Sequence, residues 1–280
     1  MKRLYFLLVL VLSIYVVSNS QNTAEEYFQS GLSKDSLNDY RGAVLYYNKA
    51  IEINPNYTEA FYKRGNAKYK LGKYNEAILN YNKAIELDSN YFEAYNSRGN
   101  ANYFLSEFDF ALQDYNKALE LNPKYAEAFN NRGVAKIKMM EYRRAIEDYN
   151  KAIEINPNYE EAYKNRGNAK LYLSDYEEAL QDYDLAIEIN AKNPKVYLMR
   201  GYVKSKLKDN RGGLADFNKA IELDSNYADA YYRRGLAKQG YGDHSGACAD
   251  WNTAGQLGLI EAYELINKYC IVSYPYHWHW

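Results

Sequence analysis

Cysteine, histidine and excess charge are all scarce in this chain, and each shortage excludes a class of protein. Two cysteines among 280 residues cannot form the bridges of a disulfide-rich scaffold. A formal net charge of -1 provides no basic surface for nucleic acid, which is bound by clustered lysine and arginine. What the chain has in excess is tyrosine, with 33 residues. Its apolar ring and polar hydroxyl suit half-buried contacts between stacked elements.

Catalytic constellations are also missing. The three histidines, His244, His277 and His279, have no nucleophile and orienting acid at a recognisable spacing. No glycine-rich phosphate loop is present, because the glycines mark helix contacts and turns. His277 and His279 form a weak metal motif, and an aromatic tail that is mobile or packed on the preceding helix is the better interpretation. We therefore predict a protein that is not an enzyme, with no catalytic residue, metal or cofactor.

The first twenty residues are typical of a secretory signal peptide. Lys2 and Arg3 precede a mainly apolar run from Leu4 to Val17, and the small residues Ser18 and Ser20 follow. The run is short for a membrane span, which needs about 20 apolar residues. The alternative is an uncleaved N-terminal anchor. We expect cleavage after Ser20 and an exported protein, periplasmic or secreted; the Lys-, Asn- and Tyr-rich composition indicates a bacterial origin.

The rest of the chain repeats itself every 34 residues. Glycine marks the period seven times, at Gly31, Gly65, Gly99, Gly133, Gly167, Gly201 and Gly235. An alanine column runs through Ala50, Ala84, Ala118, Ala152, Ala186, Ala220 and Ala254. Two aromatic columns have the same period. The first is Tyr27, Phe61, Tyr95, Phe129, Tyr163, Tyr197 and Tyr231. The second is Tyr47, Tyr81, Tyr115, Tyr149, Tyr183, Phe217 and Trp251. Small residues allow two helix backbones to approach, and aromatic residues fill the space beside them.

These columns resemble the tetratricopeptide repeat, a helical hairpin of 34 residues. The resemblance implies an all-α fold, a right-handed superhelical solenoid of antiparallel hairpins with a C-terminal capping helix. Two departures recur: arginine usually precedes the glycine where the family has leucine, and lysine usually follows it by three residues where the family has tyrosine.

The predicted organisation follows from the period. A signal peptide (1–20) is followed by seven repeats over 24–261, then by a capping helix (262–270) and an aromatic tail (271–280). The repeat bounds are 24–57, 58–91, 92–125, 126–159, 160–193, 194–227 and 228–261.

A charged pair recurs within the later repeats. Arginine precedes the glycine and aspartate follows that arginine by sixteen residues, as Arg98 with Asp114, Arg132 with Asp148, Arg166 with Asp182, Arg200 with Asp216 and Arg234 with Asp250. A charge beside packed aromatic residues needs a fixed partner. We predict an ion pair that joins the two helices of each hairpin; the alternative is that these arginines bind an anionic ligand.

The two cysteines, Cys248 and Cys270, flank the junction between the seventh repeat and the capping helix. In an oxidising compartment they could form a disulfide. The alternative is two separate buried thiols, because geometry decides the matter and sequence cannot.

In the family that the chain resembles, the first helices of successive hairpins line a groove that takes a peptide or partner helix. The resemblance therefore implies a set of groove positions that carry mainly Tyr, Asn and basic side chains. They are Tyr62, Asn66, Tyr69, Asn96, Asn100, Tyr103, Asn130, Lys164, Asn168, Tyr202 and Arg233. An asparagine amide can both donate to and accept from a peptide backbone, which suits capture of an extended chain. The alternative is that these are solvated residues between repeats.

Some relatives bind a C-terminal carboxylate with a basic clamp, and that motif is incomplete here. Lys164, Asn168 and Arg233 match it, but Met199 and Asp229 replace an asparagine and a lysine. An acidic edge is present instead, formed by Glu59, Glu93, Glu127 and Glu161. We expect the groove to prefer basic or neutral segments.

Two functions fit these patterns. The first is an exported scaffold or adaptor that binds a protein or peptide segment in its concave groove. The second is a structural component of a cell-envelope assembly that uses its convex face or self-association. Neither involves nucleic acid, and the membrane is involved only through the signal segment before cleavage. The oligomeric state stays open.

Overall fold

A computed structural model describes residues 23–270, which form fifteen α-helices arranged as tandem antiparallel hairpins. The first helices of the hairpins are α1 (Ala24–Ser36), α3 (Thr58–Lys70), α5 (Phe92–Phe104), α7 (Ala126–Lys138), α9 (Glu160–Tyr172), α11 (Pro194–Lys206) and α13 (Ala228–Gly240). The second helices are α2 (Tyr40–Ile53), α4 (Tyr74–Leu87), α6 (Phe108–Leu121), α8 (Tyr142–Ile155), α10 (Tyr176–Ile189), α12 (Asn210–Leu223) and α14 (His244–Gln256). A single helix, α15 (Glu261–Tyr269), follows.

Local sequence signals set where these helices begin and end. Thr23 and Glu26 form a capping box at the start of α1. One residue of each inter-helix turn has a positive φ, which ends the first helix. That residue is Gly72 in the second hairpin, with a φ of 74°, and Met140 in the fourth, with a φ of 61°. Asn54 ends α2, and its side-chain oxygen accepts a hydrogen bond from the backbone of Asn56.

The chain divides into two compact units, Met1–Ala135 and Lys136–Trp280, and the division falls inside α7. In unit 1 the core contains the fully buried rings of Tyr47, Tyr81 and Tyr115 among buried alanines. In unit 2 the equivalent positions hold Tyr183, Phe217 and Trp251. Each such ring contributes about 1.5–3 kcal/mol through burial of its apolar surface.

The glycine column exists because these rings occupy the space that a side chain would need. A Cβ atom built on Gly65 would lie 2.6 Å from a ring carbon of Tyr81, and one built on Gly167 would lie 2.8 Å from Tyr183. Gly and aromatic residue are sixteen positions apart in each case. The two columns are therefore two sides of one contact between the helices of a hairpin, and the predicted all-α class of tandem helix hairpins is confirmed.

The end of unit 2 is closed by α15. Its Ala262 is buried, and the ring of Tyr269 packs against Trp251 with centroids 5.8 Å apart. Trp251 donates from its indole nitrogen to the carbonyl of Tyr232, 3.2 Å away. A disulfide joins Cys248 in α14 to Cys270 directly after α15. The bond ties the last helix to the seventh hairpin.

The expected signal peptide and aromatic tail lie outside the described residues. Between residues 23 and 270, none of the helices combines the length and the apolar character that crossing a membrane requires.

Candidate functional site

The arginine column is built into the hairpins. The guanidinium groups of Arg98, Arg166, Arg200 and Arg234 each bond the aspartate sixteen residues later at 2.5–2.6 Å. Each guanidinium also lies over the aromatic ring three residues before it, as Arg166 does over Tyr163 at 5.4 Å. The predicted pairs are confirmed at these four positions. Their arginines are fully engaged within the protein and do not form a ligand site.

Each of these arginines also reaches back to the preceding hairpin. Arg98 donates to Asn82, Arg166 to Asn150 and Arg200 to Asp184, all at 2.6–2.7 Å. Each acceptor lies on a second helix, sixteen residues before its arginine. One side chain therefore bonds two second helices and holds neighbouring hairpins together. This contact was not predicted from the sequence, although one column carries a side-chain acceptor in six repeats: Asn48, Asn82, Asn116, Asn150, Asp184 and Asn218.

The recurrent lysine completes the same cluster. Lys170, Lys204 and Lys238 pair with the aspartates of their own hairpins at 2.8–3.0 Å. Both departures from the family pattern thus serve one buried carboxylate. In the third hairpin Asn102 stands in place of the lysine and donates to Asp114 at 3.1 Å. Burial raises the pKa of Asp114 although Arg98 and Asn102 oppose the shift.

The asparagines that follow the glycine bind a tyrosine of their own hairpin. The hydroxyls of Tyr81, Tyr115 and Tyr183 donate to Oδ1 of Asn66, Asn100 and Asn168 at 2.7–2.8 Å. The amide Nδ2 atoms of the three asparagines make no hydrogen bond with residues 23–270. Each of these residues therefore keeps a donor group available but has its acceptor already engaged.

Asn96 and Asn130 lie elsewhere than expected. Asn96 is 1% exposed and Asn130 is 3% exposed. Asn96 donates to the hydroxyl of Tyr125 and to Glu127, and it accepts from Asn131. Asn96 thus bonds residues of the neighbouring hairpin instead of facing the groove. Burial to this degree leaves neither asparagine exposed to a bound peptide.

Unit 1 contains a polar cavity of about 280 Å³ between its first helices. Its lining includes the expected Tyr62, Asn66, Tyr69 and Asn100, together with Asp35, Lys70, Tyr81, Ser97 and Glu127. Burial raises the pKa of Tyr69 to about 12, so its hydroxyl stays a hydrogen-bond donor at neutral pH. The cavity offers donors from tyrosine and asparagine, and carboxylates from Asp35 and Glu127.

Aromatic side chains continue from this cavity towards the hairpin turns. The ring of Tyr69 contacts Tyr74 and Phe104, with centroids 5.4 and 5.7 Å apart. Tyr103, another expected groove residue, lies edge-on to Phe104 and tilted against Phe108. Tyr103 is thus half-buried in an aromatic cluster at the edge of the groove.

Unit 2 contains two adjoining cavities, of about 260 and 560 Å³. They share Tyr202, Lys206 and Arg233. The larger one also includes Asn168, Leu171, Tyr172, Tyr176 and Met199, and the smaller one includes Ser205, Asn210 and Leu236. Lys164, one turn before Asn168, pairs with Glu161 at 3.2 Å. Three of the expected residues, Asn168, Tyr202 and Arg233, are therefore brought together here.

Comparison with known families and structures identifies the class of protein. Models described as TPR repeat match residues 35–72 and 65–106, and models described as tetratricopeptide repeat match 92–125, 126–159, 160–193 and 194–227. The chain belongs to the tetratricopeptide repeat family. No enzymatic family is indicated, and no curated protein matches the chain.

Three solved structures are similar to the chain. MamA is 33% identical over 58% of this chain and 95% of its own, with a TM-score of 0.53. A tetratricopeptide repeat protein from Parabacteroides merdae ATCC 43184 is 22% identical over 89% of this chain and 99% of its own, with a TM-score of 0.69. YrrB, described as a TPR protein with an unusual peptide-binding site, is 23% identical over 67% of this chain and 97% of its own, with a TM-score of 0.53. The last two show the fold alone.

Proposed function

We propose that the protein is a non-enzymatic scaffold that binds a protein or peptide segment against the first helices of its hairpins. The observation that carries this proposal is the lining of the cavities, which comes mainly from first helices in both units. Asn66 and Asn100 direct an amide with an unused Nδ2 donor to the same surface. Such donors suit the carbonyl groups of an extended peptide, whose backbone hydrogen bonds are otherwise made with water.

The groove of unit 1 suits neutral or basic segments. Asp35 and Glu127 line its cavity with a single cation, Lys70. The tyrosine rings provide apolar surface with hydroxyl groups at the rim, a combination that is frequent in peptide-binding surfaces. This polarity supports the preference expected from the acidic edge.

The proposal includes export from the cytoplasm. The first twenty residues have the pattern of a signal peptide, and the bond between Cys248 and Cys270 would persist in an oxidising compartment. Fractionation of the native host, followed by mass spectrometry of the N-terminus, tests this part. We expect a mature chain that begins at Gln21; a cytoplasmic protein that retains Met1–Ser20 would contradict export.

An affinity purification with the mature protein tests groove binding. Asn100→Asp and Asn168→Asp remove the amide donor but keep an oxygen that accepts from Tyr115 and Tyr183. The double variant should therefore keep its fold and lose the partner. Retention of the partner at the wild-type level would contradict binding along the first helices.

The matched control also tests the second candidate function. Leu45 and Leu79 project from second helices with exposed fractions of 64% and 68%, and Phe110 is 57% exposed. Such apolar groups on the opposite helices favour assembly through that face. Leu45→Ser with Leu79→Ser should leave groove binding intact. If this variant alone loses the partner, or if it abolishes self-association in sedimentation, the structural role is the correct one.

A further inference from the structure

Arg233 differs from the arginine column beside it. Arg234, the next residue, bonds Asp250 and Asn218. Arg233 makes no ion pair with any described residue, and its buried Nε atom has no hydrogen-bond partner there. The guanidinium instead lies over the ring of Tyr202, 4.3 Å from the centroid. A buried guanidinium donor without an acceptor is costly, because it has lost water without replacing it.

Lys206 brings a second cation to the same ring. Its Nζ lies 5.2 Å from the centroid of Tyr202, and it makes no ion pair within residues 23–270. Lys204, two residues earlier, is bonded to Asp216 at 2.9 Å. Lys204 therefore has a carboxylate partner inside its own hairpin, whereas Lys206 has none among the described residues. Two cations at one ring repel each other, and none of the described residues that line the two cavities is acidic.

The surrounding walls indicate what kind of anion would fit. Leu171, Met199 and Leu236 line the two cavities on either side of the shared residues. Free phosphate would leave these apolar walls in water, whereas a chain with apolar residues beside an acidic one would cover them. The cavities continue past Tyr202 in both directions. A bound segment would therefore extend to both sides of the cations, so the anion would be an internal side chain of that segment and not its C-terminus.

We propose that the unit 2 cavities bind the side-chain carboxylate of an aspartate or glutamate in a partner segment, held between Arg233 and Lys206. This inference rests on the proposed function and names the chemistry of one subsite. The site is not the family's basic clamp, since Met199 and Asp229 replace two of its residues and Lys206 provides the second cation. An arginine donates two hydrogen bonds in a fork that matches a carboxylate, and Lys206 adds a third donor.

A peptide array tests the proposal. The probes are eight-residue peptides with amidated C-termini, synthesised in pairs that differ by Glu or Gln at one internal position between apolar residues. The mature protein should bind the Glu member about tenfold better, because the amide oxygen of Gln accepts from the same donors without the negative charge that strengthens these hydrogen bonds. Arg233→Gln and Lys206→Gln should each reduce this ratio towards one.

Two further variants keep the test decisive. Arg211→Gln makes the same charge change at an exposed arginine outside both cavities, and it should keep the preference. Arg233→Lys keeps the charge and should retain part of it even if Arg233→Gln folds poorly by circular dichroism. Binding of peptides without a Glu preference, or a preference only for free C-termini, would overturn the carboxylate subsite and leave the scaffold function standing. Failure to bind any peptide would reject both.

Discussion

The cavities of the two units are built from the same repeat yet carry opposite charge. In unit 1 the lining contains Asp35 and Glu127 with one lysine. In unit 2 it contains Lys206 and Arg233, and no carboxylate among residues 136–270 lines it. The columns that form the fold are the same in both units. The difference therefore lies in a few positions that the packing leaves free to vary, and those positions decide what each unit can bind.

The buried carboxylates differ between the units as well. Asp182 in unit 2 bonds two cations, Arg166 and Lys170. Asp114 in unit 1 bonds one cation, Arg98, and the neutral Asn102. We expect Asp182→Ala to lower the free energy of unfolding by about 3–5 kcal/mol, because two partly buried cations lose their buried partner. Asp114→Ala should lower the free energy of unfolding by only about 2 kcal/mol, because only one cation loses its partner. Urea denaturation measures both, and equal losses would contradict the assignment.

A charge reversal in unit 1 sharpens the comparison of the cavities. Asp35→Lys should weaken binding of a lysine-rich peptide about tenfold, since one favourable charge contact becomes repulsive in a partly enclosed site. Fluorescence anisotropy with a labelled peptide measures the effect. Glu52→Lys, the same change at an exposed second-helix position, is the control. Comparable weakening by the control would show a general charge effect instead of a local one.

The tyrosine hydroxyls provide a smaller test within unit 1. Tyr115 donates to Asn100, whereas the buried hydroxyl of Tyr47 has no partner among the described residues, because Leu32 occupies the asparagine position. Tyr115→Phe should cost about 1 kcal/mol and Tyr47→Phe should be neutral or slightly stabilising. Thermal unfolding compares the two. If Tyr47→Phe destabilised the fold more than Tyr115→Phe, the hydrogen bond between Tyr115 and Asn100 would not explain the difference between these two positions.

The smallest expected effect comes from completing the cluster of the third hairpin. Asn102→Lys should stabilise the fold by about 0.5–1 kcal/mol at pH 7, through the ion pair that other hairpins have. The raised pKa of Asp114 means that the folded state takes up a proton more readily than the unfolded state, so stability falls as pH rises through that pKa. The variant should weaken this fall. Urea titrations at pH 4 to 7 measure the free energy of unfolding at each pH. If this free energy changes with pH in the same way in the variant and the wild type, the prediction is wrong.

Much of the fold can be predicted from the sequence alone, because the same residue types recur at the same spacing in seven repeats. Gly65 and Tyr81 recur sixteen residues apart, and this spacing predicts two helices in contact before any coordinates are known. The pairing of Arg166 with Asp182 follows from the same logic. Within a hairpin the spacing is short and a local turn sets the geometry, so sequence period and spatial contact agree.

Contacts between hairpins were decided by the tertiary structure. The bond from Arg98 back to Asn82, the burial of Asn96 and the approach of Arg233 to Tyr202 all depend on how far one hairpin rotates against the next. That rotation results from the packing of many side chains together, and no spacing of residues in the sequence predicts it. The amino-acid sequence thus determined the repeat, its helices and the ion pairs inside each hairpin. Which polar side chains remain available to a ligand depended on packing between hairpins, because that packing buries one face of each first helix and leaves the other open.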